Sequence, residues 1–391
     1  MPALIDARTW IGAGLGDPAG ISRQADEVAA LFAAFVTAAR RSLDIAIYDF
    51  RLDAQRGAAV MGALNAIAAR GVSVRVAYFD PPPKKNARAD GGDPTPGMTA
   101  GDLKSLHPRI ARKPIQGIDI EDLPKGVVRQ PIEGGGHLMH SKYMIRDLET
   151  VWTGSANFTT DAWSIQDNNV LQIESPGIAR CYATDFEELW ASGRIAGTGK
   201  NDLGQVEVGG EEVDVAFSPG EGSTVEKEIA GAIQGARQSV AIASMVISSG
   251  AILGALTDAI ARGVSLSGVY DGPEMNVVLR GWAKGTKSAG KAEQWKRIGS
   301  RLIAKASKPY APKAPHDFMH NKLAVVDRRL LVTGSFNFSQ NATLNAENLL
   351  TLRDPDLVGQ YADYVDRLVA FYGKAGSTRT AAGVKRAARH R

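Results

Sequence analysis

His140, Lys142 and Asp147 stand in the spacing H-x-K-x4-D, and His320, Lys322 and Asp327 repeat it 180 residues later. After six intervening residues each aspartate is followed by G-S-x-N, first as Gly154-Ser155-Ala156-Asn157 and then as Gly334-Ser335-Phe336-Asn337. One copy supplies a potential nucleophile, a fixed cation and polar donors. Two copies supply enough groups to hold a phosphodiester and to divide nucleophile and acid roles between two histidines. A phosphodiester is an anion that repels nucleophiles, so its cleavage requires neutralising the nonbridging oxygens as phosphorus becomes more crowded. Lys142 and Lys322 suit that task, with Asn157, Asn337, Ser155 and Ser335 adding hydrogen bonds. A carboxylate beside that anion would be repelled, so Asp147 and Asp327 are expected to support the site by fixing a strand or turn. With two lysines in place of a cation, no metal and no other cofactor is called for. His137, His140, His316 and His320 lie in close pairs, but no convincing carboxylate or thiolate set accompanies them.

The spacing of each pair dictates the backbone that must carry it. In an extended segment alternate residues share a side, so His140 faces with Lys142 and His320 with Lys322. A helix would splay each pair by roughly 200° around its axis. Short strands are therefore expected over Lys142 to Ile145 and Lys322 to Val326, with further strands from Thr150 to Thr153 and from Leu330 to Thr333 leading into the G-S-x-N turns. The halves also align upstream. Ala39 to Tyr48 parallels Ala236 to Met245, and each then runs through a helical stretch into Ala69-Arg70-Gly71-Val72-Ser73 or Ala261-Arg262-Gly263-Val264-Ser265. Gly after Arg stops a helix, and the β-branched runs Val72 to Tyr78 and Val264 to Tyr270 read as strands. Strand, helix, strand implies α/β architecture with a parallel sheet and crossover helices.

A chain of 391 residues accommodates two domains with sizeable cores, and its composition is that of a globular protein. The boundaries read as an N-terminal leader over 1–20, a first domain over 21–200, a connector over 201–212, a second domain over 213–373 and a basic tail over 374–391. The single cysteine, Cys181, rules out an intrachain disulfide. No basic start followed by an apolar run marks a signal peptide, and no stretch approaches the roughly 18 apolar residues of a spanning helix. A cytoplasmic protein is expected. The net charge is +4, but Gly272 to Phe318 carries ten Lys or Arg against two Glu and Asp317, with Trp282, Trp295 and Tyr310 interspersed. Lys374 to Arg391 adds six basic residues and no acid. Such patches attract anionic polymers or anionic lipid surfaces. Pro81 to Gly136 and Gly272 to Pro315 read as long irregular segments at corresponding places ahead of each motif, where substrate selectivity is expected.

The doubled H-x-K-x4-D with G-S-x-N resembles the defining motif of the phospholipase D superfamily, and the resemblance runs from about Ile21 to the region of Tyr372. It implies two related domains, each a mixed, largely parallel β-sheet flanked by helices, joined about a pseudo-dyad so that both motifs make one active site. A monomer then suffices for catalysis. It also implies a two-step, metal-independent route through a phosphohistidine, with His140 as nucleophile and His320 as general acid, ending in hydrolysis or phosphatidyl transfer. In the family a carboxylate downstream of G-S-x-N often orients a histidine. Glu347 matches that position in the second half and is read as the partner of His320, whereas the first half has Asn168 there, which leaves the orienting group of His140 open. Phospholipid, or a membrane surface presenting it, is the leading substrate. Nucleic acid is the second, and a noncatalytic binding module the third reading.

Overall fold

The computed structural model describes residues 5–80, 117–200, 205–285, 288–310 and 314–387, with side chains described as far as residue 374. The first half contributes β1 (Ile5–Trp10), β2 (Ser42–Ile47), β3 (Phe50–Asp53), β4 (Ser73–Asp80), β5 (Gly117–Asp119), β6 (Val127–Glu133), β7 (Lys142–Arg146), β8 (Thr150–Gly154), β9 (Phe158–Thr159) and β10 (Asn168–Glu174). Seven of these form a sheet in the order β1-β10-β8-β7-β2-β4-β6, and β5-β3-β9 form a small sheet beside it. The second half contributes β11 (Val206–Val208), β12 (Glu211–Ser218), β13 (Ser239–Ser244), β14 (Ser265–Asp271), β15 (Ile303–Lys305), β16 (Lys322–Val326), β17 (Leu330–Gly334) and β18 (Glu347–Leu352). Its sheet runs β11-β12-β18-β17-β16-β13-β14-β15. From β12 onward this is the strand order of the first sheet, so the repeat read from the motifs extends to the whole architecture.

The mixed α/β class is as expected, but the sheets are not largely parallel. In the two large sheets only β2–β4, β4–β6, β13–β14 and β14–β15 are parallel; the junctions of β7, β8, β10 and β1, and of their counterparts, are antiparallel. The strand-helix-strand unit is real, with β2 and β4 joined through a helix that stops at Ala69 ahead of Gly71 at φ +81. It covers only one side of each sheet. On the other side β7 and β8, and β16 and β17, are joined by turns too short for a crossover.

Strand alternation splits the apolar residues between distinct cores. Helices α1 (Pro18–Thr37) and α2 (Ala54–Ala69) pack Phe32, Phe35, Leu64 and Ile67 on the outer face of the first sheet with Ile45 and Val76. After the short α3 (Thr160–Ser164) and the longer α4 (Pro176–Ser192), α5 (Gly222–Gln234) and α6 (Gly250–Ala261) cover the outer face of the second sheet in the same way. The insertion that follows β14 is not irregular. It forms α7 (Gly272–Trp282), α8 (Ala289–Gly299) and β15. The final helix is α9 (Pro355–Ala387). The inner faces share one core, in which Tyr182 and Phe186 of α4 and Leu357 and Leu368 of α9 lie with Ile145 and Val151 of one sheet and Val325 and Leu331 of the other.

Other boundaries also move. Residues 5–10 of the expected leader are an edge strand paired to β10, in the place β12 takes in the second half. The described part of the connector is β11 and the start of β12, a hairpin on the second sheet. Residues 374–387 of the tail continue α9. Of the first long segment, 117–119 and 127–133 are strands, while 81–116 lie outside the described residues, as do 201–204 and 388–391.

The motif aspartates explain their own positions. Asp147 and Leu148, and likewise Asp327 and Arg328, have φ between +51 and +57 as the central residues of turns closed by Glu149 N–H to Arg146 and by Arg329 N–H to Val326. Such mirror-image turns suit tight hairpins, and aspartate tolerates the left-handed conformation better than most residues. The Asp147 carboxylate accepts from the N–H groups of Arg40, Arg41 and Ser42 at 2.7–3.2 Å, and Asp327 from Arg237, Gln238 and Ser239 at 2.7–2.9 Å. Desolvation raises both carboxyls, but together these bonds outweigh it and hold both aspartates below the ordinary carboxylate value. Each aspartate thus ties the histidine-lysine strand to the start of its neighbour, β2 or β13. Asp147→Ala removes those acceptors and leaves alanine at positive φ, so a loss of about 2–3 kcal/mol in unfolding free energy is expected. An unchanged urea midpoint would show that the turn holds without the carboxylate.

Candidate active site

The ladder between the two halves is formed by the motifs themselves. His140 N–H donates to Ala346 C=O at 2.8 Å, and Ala346 N–H donates to Leu138 C=O at 2.8 Å. Reciprocally, His320 N–H donates to Asp167 C=O and Asp167 N–H to Phe318 C=O, each at 3.0 Å. Each histidine is therefore bound to the segment that follows the G-S-x-N of the opposite half. Within each half the motif glycine lets that same segment lie close: a Cβ on Gly154 would meet Asn169 O at 2.4 Å, and one on Gly334 would meet Asn348 O at 2.2 Å.

Side chains follow the same exchange, and here the expected pairing is overturned. Glu347 does not hold His320. Its Oε2 lies 2.7 Å from Nδ1 of His140, in the other half, and His320 Nδ1 lies 3.0 Å from Oδ1 of Asn168. The sequence reading assigned Glu347 to the histidine of its own half and left the partner of His140 open, but β10 and β18 each present their side chain to the histidine of the other half. Ser155 donates to Asn168 Oδ1 at 2.8 Å, and Ser335 bonds to Glu347, so both hydroxyls brace the partners of the histidines. Asn345 Nδ2 donates to Glu347 Oε1 at 3.3 Å. A second exchange lies beneath. Asn169 bonds to Asn321, Thr333 and Tyr361 of the second half, while Asn348 bonds to Thr153 and Tyr182 of the first.

His140, Lys142, His320 and Lys322 are all buried, the two lysines at 1% and 0% exposure. Lys142 Nζ donates to His140 C=O, and Lys322 Nζ to His320 C=O at 2.5 Å. Burial pulls both histidines well below their ordinary range, and the two lysine charges pull them further. Burial likewise lowers Lys142 to about 7, against the attraction of Glu347 and Asp49, and lowers Lys322 strongly, helped by Lys142. Burial pushes Glu347 up to about 7. These mutual influences place both histidine-lysine pairs in one electrostatic site. Asn157 and Asn337 are buried in the same way, and each has a side-chain oxygen with no hydrogen-bond partner.

Several neighbours were not legible in the motifs. Tyr48 sits edge-on to His140 with centroids 4.9 Å apart, and Lys142 Nζ lies 5.1 Å over its ring. Asp49 beside it is paired to Arg51 at 2.6 Å. The signal was the half-to-half alignment, in which Tyr48 ends the aligned run immediately after β2, but nothing in that pattern points a ring at a histidine. His316 is stacked between Tyr310 and Phe318, and His137 lies half-buried ahead of Leu138. Among the described residues no group of three or more His, Cys, Asp or Glu could hold a metal ion, and no helix is long and apolar enough to cross a membrane.

A family model described as cardiolipin synthase, PLD-like domain, matches residues 33–190 and 229–369. A phospholipase D of Rickettsia bellii (strain RML369-C) is 30% identical over 151 residues, which is 38% of this chain and 65% of that protein. A mitochondrial cardiolipin hydrolase of Chlamydomonas reinhardtii is 45% identical over 51 residues, 13% of this chain and 23% of that one. The chain therefore spans less than two thirds of the length of either. The crystal structure of phosphatidylserine synthase from Haemophilus influenzae Rd KW20 superposes with a TM-score of 0.59 at 11% identity over 92% of this chain and 88% of that one, a likeness of fold.

A site holding two buried lysines and two buried histidines is poorly charged when empty and gains charge when an anion arrives. At about pH 8 most of these bases are neutral; a bound anion favours their charged forms, so binding is expected to draw at least about one proton from solution. Calorimetry of tungstate binding in buffers of different ionisation enthalpy reads this as a slope. A slope of zero would mean that the cations are already charged.

Proposed function

Since this chain belongs to the phospholipase D superfamily, a family of phosphodiesterases, we propose that it cleaves a phosphodiester of phospholipids through a phosphohistidine formed on His140. The observation that carries this reading is the exchange of partners, Glu347 to His140 at 2.7 Å and Asn168 to His320 at 3.0 Å.

The carboxylate fixes the proton of neutral His140 on Nδ1 and leaves the Nε2 lone pair free. Nε2 attacks phosphorus, and Glu347 stabilises the positive charge that develops on the ring. As the P–O bond to the leaving alcohol breaks, His320 Nε2–H passes its proton to that oxygen. Asn168 orients His320 through a neutral amide, which supports an imidazolium less than a carboxylate does, so the proton is given up readily. Water or a second alcohol then attacks, His320 takes its proton, and the P–N bond breaks with its electron pair returning to His140. Lys142 and Lys322 neutralise the nonbridging oxygens in both steps. The orphaned amides of Asn157 and Asn337 are groups that a bound phosphate would complete once their N–H ends turn inward.

Phospholipid is supported over nucleic acid by where the aromatic residues of the insertion lie. Trp295, a candidate for stacking on bases, is 5% exposed and packs edge-on against Tyr270 at 5.0 Å. Trp282 is half-buried against the second outer core. Arg280, Lys284, Arg297 and Arg301 of the insertion are exposed, and each basic residue near an anionic bilayer contributes about 1 kcal/mol. The related proteins named phospholipase D and cardiolipin hydrolase point the same way.

The protein is expected to release headgroups from vesicles of phosphatidylglycerol, cardiolipin or phosphatidylcholine in EDTA, with both His140→Ala and His320→Ala reduced by at least about 100-fold. Cleavage of single- or double-stranded DNA or RNA, lost in both variants with lipids untouched, would replace this substrate. Rapid quenching is expected to trap the phosphoryl group on His140, and label on His320 would reverse the roles. Asn168→Asp should raise the pKa of His320. The acid must be protonated at the start, so the alkaline limb of kcat/KM is expected to move up by about one pH unit. A limb that stays in place would show that His320 is not the acid.

A further inference from the structure

Where the second half has Ala346 beside Glu347, the first half has Asp167 beside Asn168. The two main chains make the same ladder with the opposite histidine. Only Asp167 adds a buried carboxylate, and that carboxylate does not touch the histidine. It pairs with Lys305 Nζ at 2.8 Å, with side-chain exposures of 0% and 6%, and accepts from Gly12 N–H at 2.7 Å and from the Tyr372 hydroxyl at 2.9 Å.

Lys305 ends β15, at the close of the helical part of the basic insertion, and has a second bond, to Phe318 C=O at 3.2 Å. The start of the insertion reaches the same segment, because Asp271 accepts from Met319 N–H at 2.9 Å while capping α7. Thus Phe318 and Met319, immediately ahead of His320, are held by both ends of the insertion. Asp167 then closes the segment on its other side and carries the next residue, Asn168, onto Nδ1 of His320. A buried ion pair is a poor device for stability alone, since desolvation offsets most of its attraction. A fixed length and direction between two elements is what it supplies.

We propose that Lys305 and Asp167 are positioning residues for His320, through which the insertion sets how the proton donor meets the leaving oxygen. This rests on the reading of His320 as general acid.

The test compares two phosphodiesters that share one phosphoryl portion, one leaving as an unactivated alkyl alcohol and the other as p-nitrophenol, which needs no proton. It is read as kcat/KM, which covers only the steps up to departure of that group. Lys305→Met is expected to lower the value for the alkyl ester by about 10-fold or more and that for the aryl ester by at most a few-fold. Tyr372→Phe, which removes one hydroxyl and keeps shape and charge, is expected to change the ratio in the same direction by a smaller factor. It carries the test if Lys305→Met fails to fold. His320→Ala serves as the reference. If it discriminates between the esters while Lys305→Met and Tyr372→Phe reduce both equally, the positioning role is overturned and the acid assignment stands. If His320→Ala itself loses both equally, the acid assignment falls and this proposal falls with it.

Discussion

Neither half of this protein can complete its own histidine. The main chain of Ala346 and the carboxylate of Glu347 hold His140, and the main chain of Asp167 and the amide of Asn168 hold His320, each reaching across the dyad. The shared core beneath, with α4 and α9 between the two sheets, is what brings those segments within hydrogen-bonding distance. The buried amides Asn169 and Asn348, each bonded into the opposite half, make any slip of one sheet against the other cost unsatisfied polar groups. Docking of the halves and assembly of the site are therefore one event.

The electrostatics follow from that burial. Two lysines and two histidines share a space in which Glu347 is the one carboxylate bonded to them among the described residues, and burial pushes each base toward its neutral form. Burying such bases costs folding energy, and their shift toward neutral forms together with the surrounding hydrogen bonds limits that cost. Donors held in position before the anion arrives need little rearrangement as charge shifts during reaction.

Much of this was legible in the residues. The one-residue gap between His and Lys fixes an extended strand, and the strands lie over Lys142–Arg146 and Lys322–Val326. The helix stop before Gly71 and Gly263 is a local effect of backbone conformation, and it appears as read. The errors were nonlocal. Glu347 was assigned to its own half because sequence order says nothing about which strand crosses a dyad. Residues 5–10 were set aside as leader because one short alternating run carries little signal until the sheet that needs an edge is known. The burial of Trp295 was not legible either, because composition cannot show that the segment around it folds into a helix with an apolar face.

The difference between Glu347 and Asn168 has a further meaning. A duplicated scaffold presents two nearly equivalent faces, but a phosphodiester is not symmetric: one ester oxygen departs and the other stays. With identical partners on both histidines, a substrate could enter either way round, and half of the encounters would aim the nucleophile opposite the wrong bond. One carboxylate and one amide give the site a head and a tail, which under the proposed roles of the two histidines would let charge choose the orientation of the substrate. This departure from internal symmetry thus distinguishes the two ends of a duplicated site.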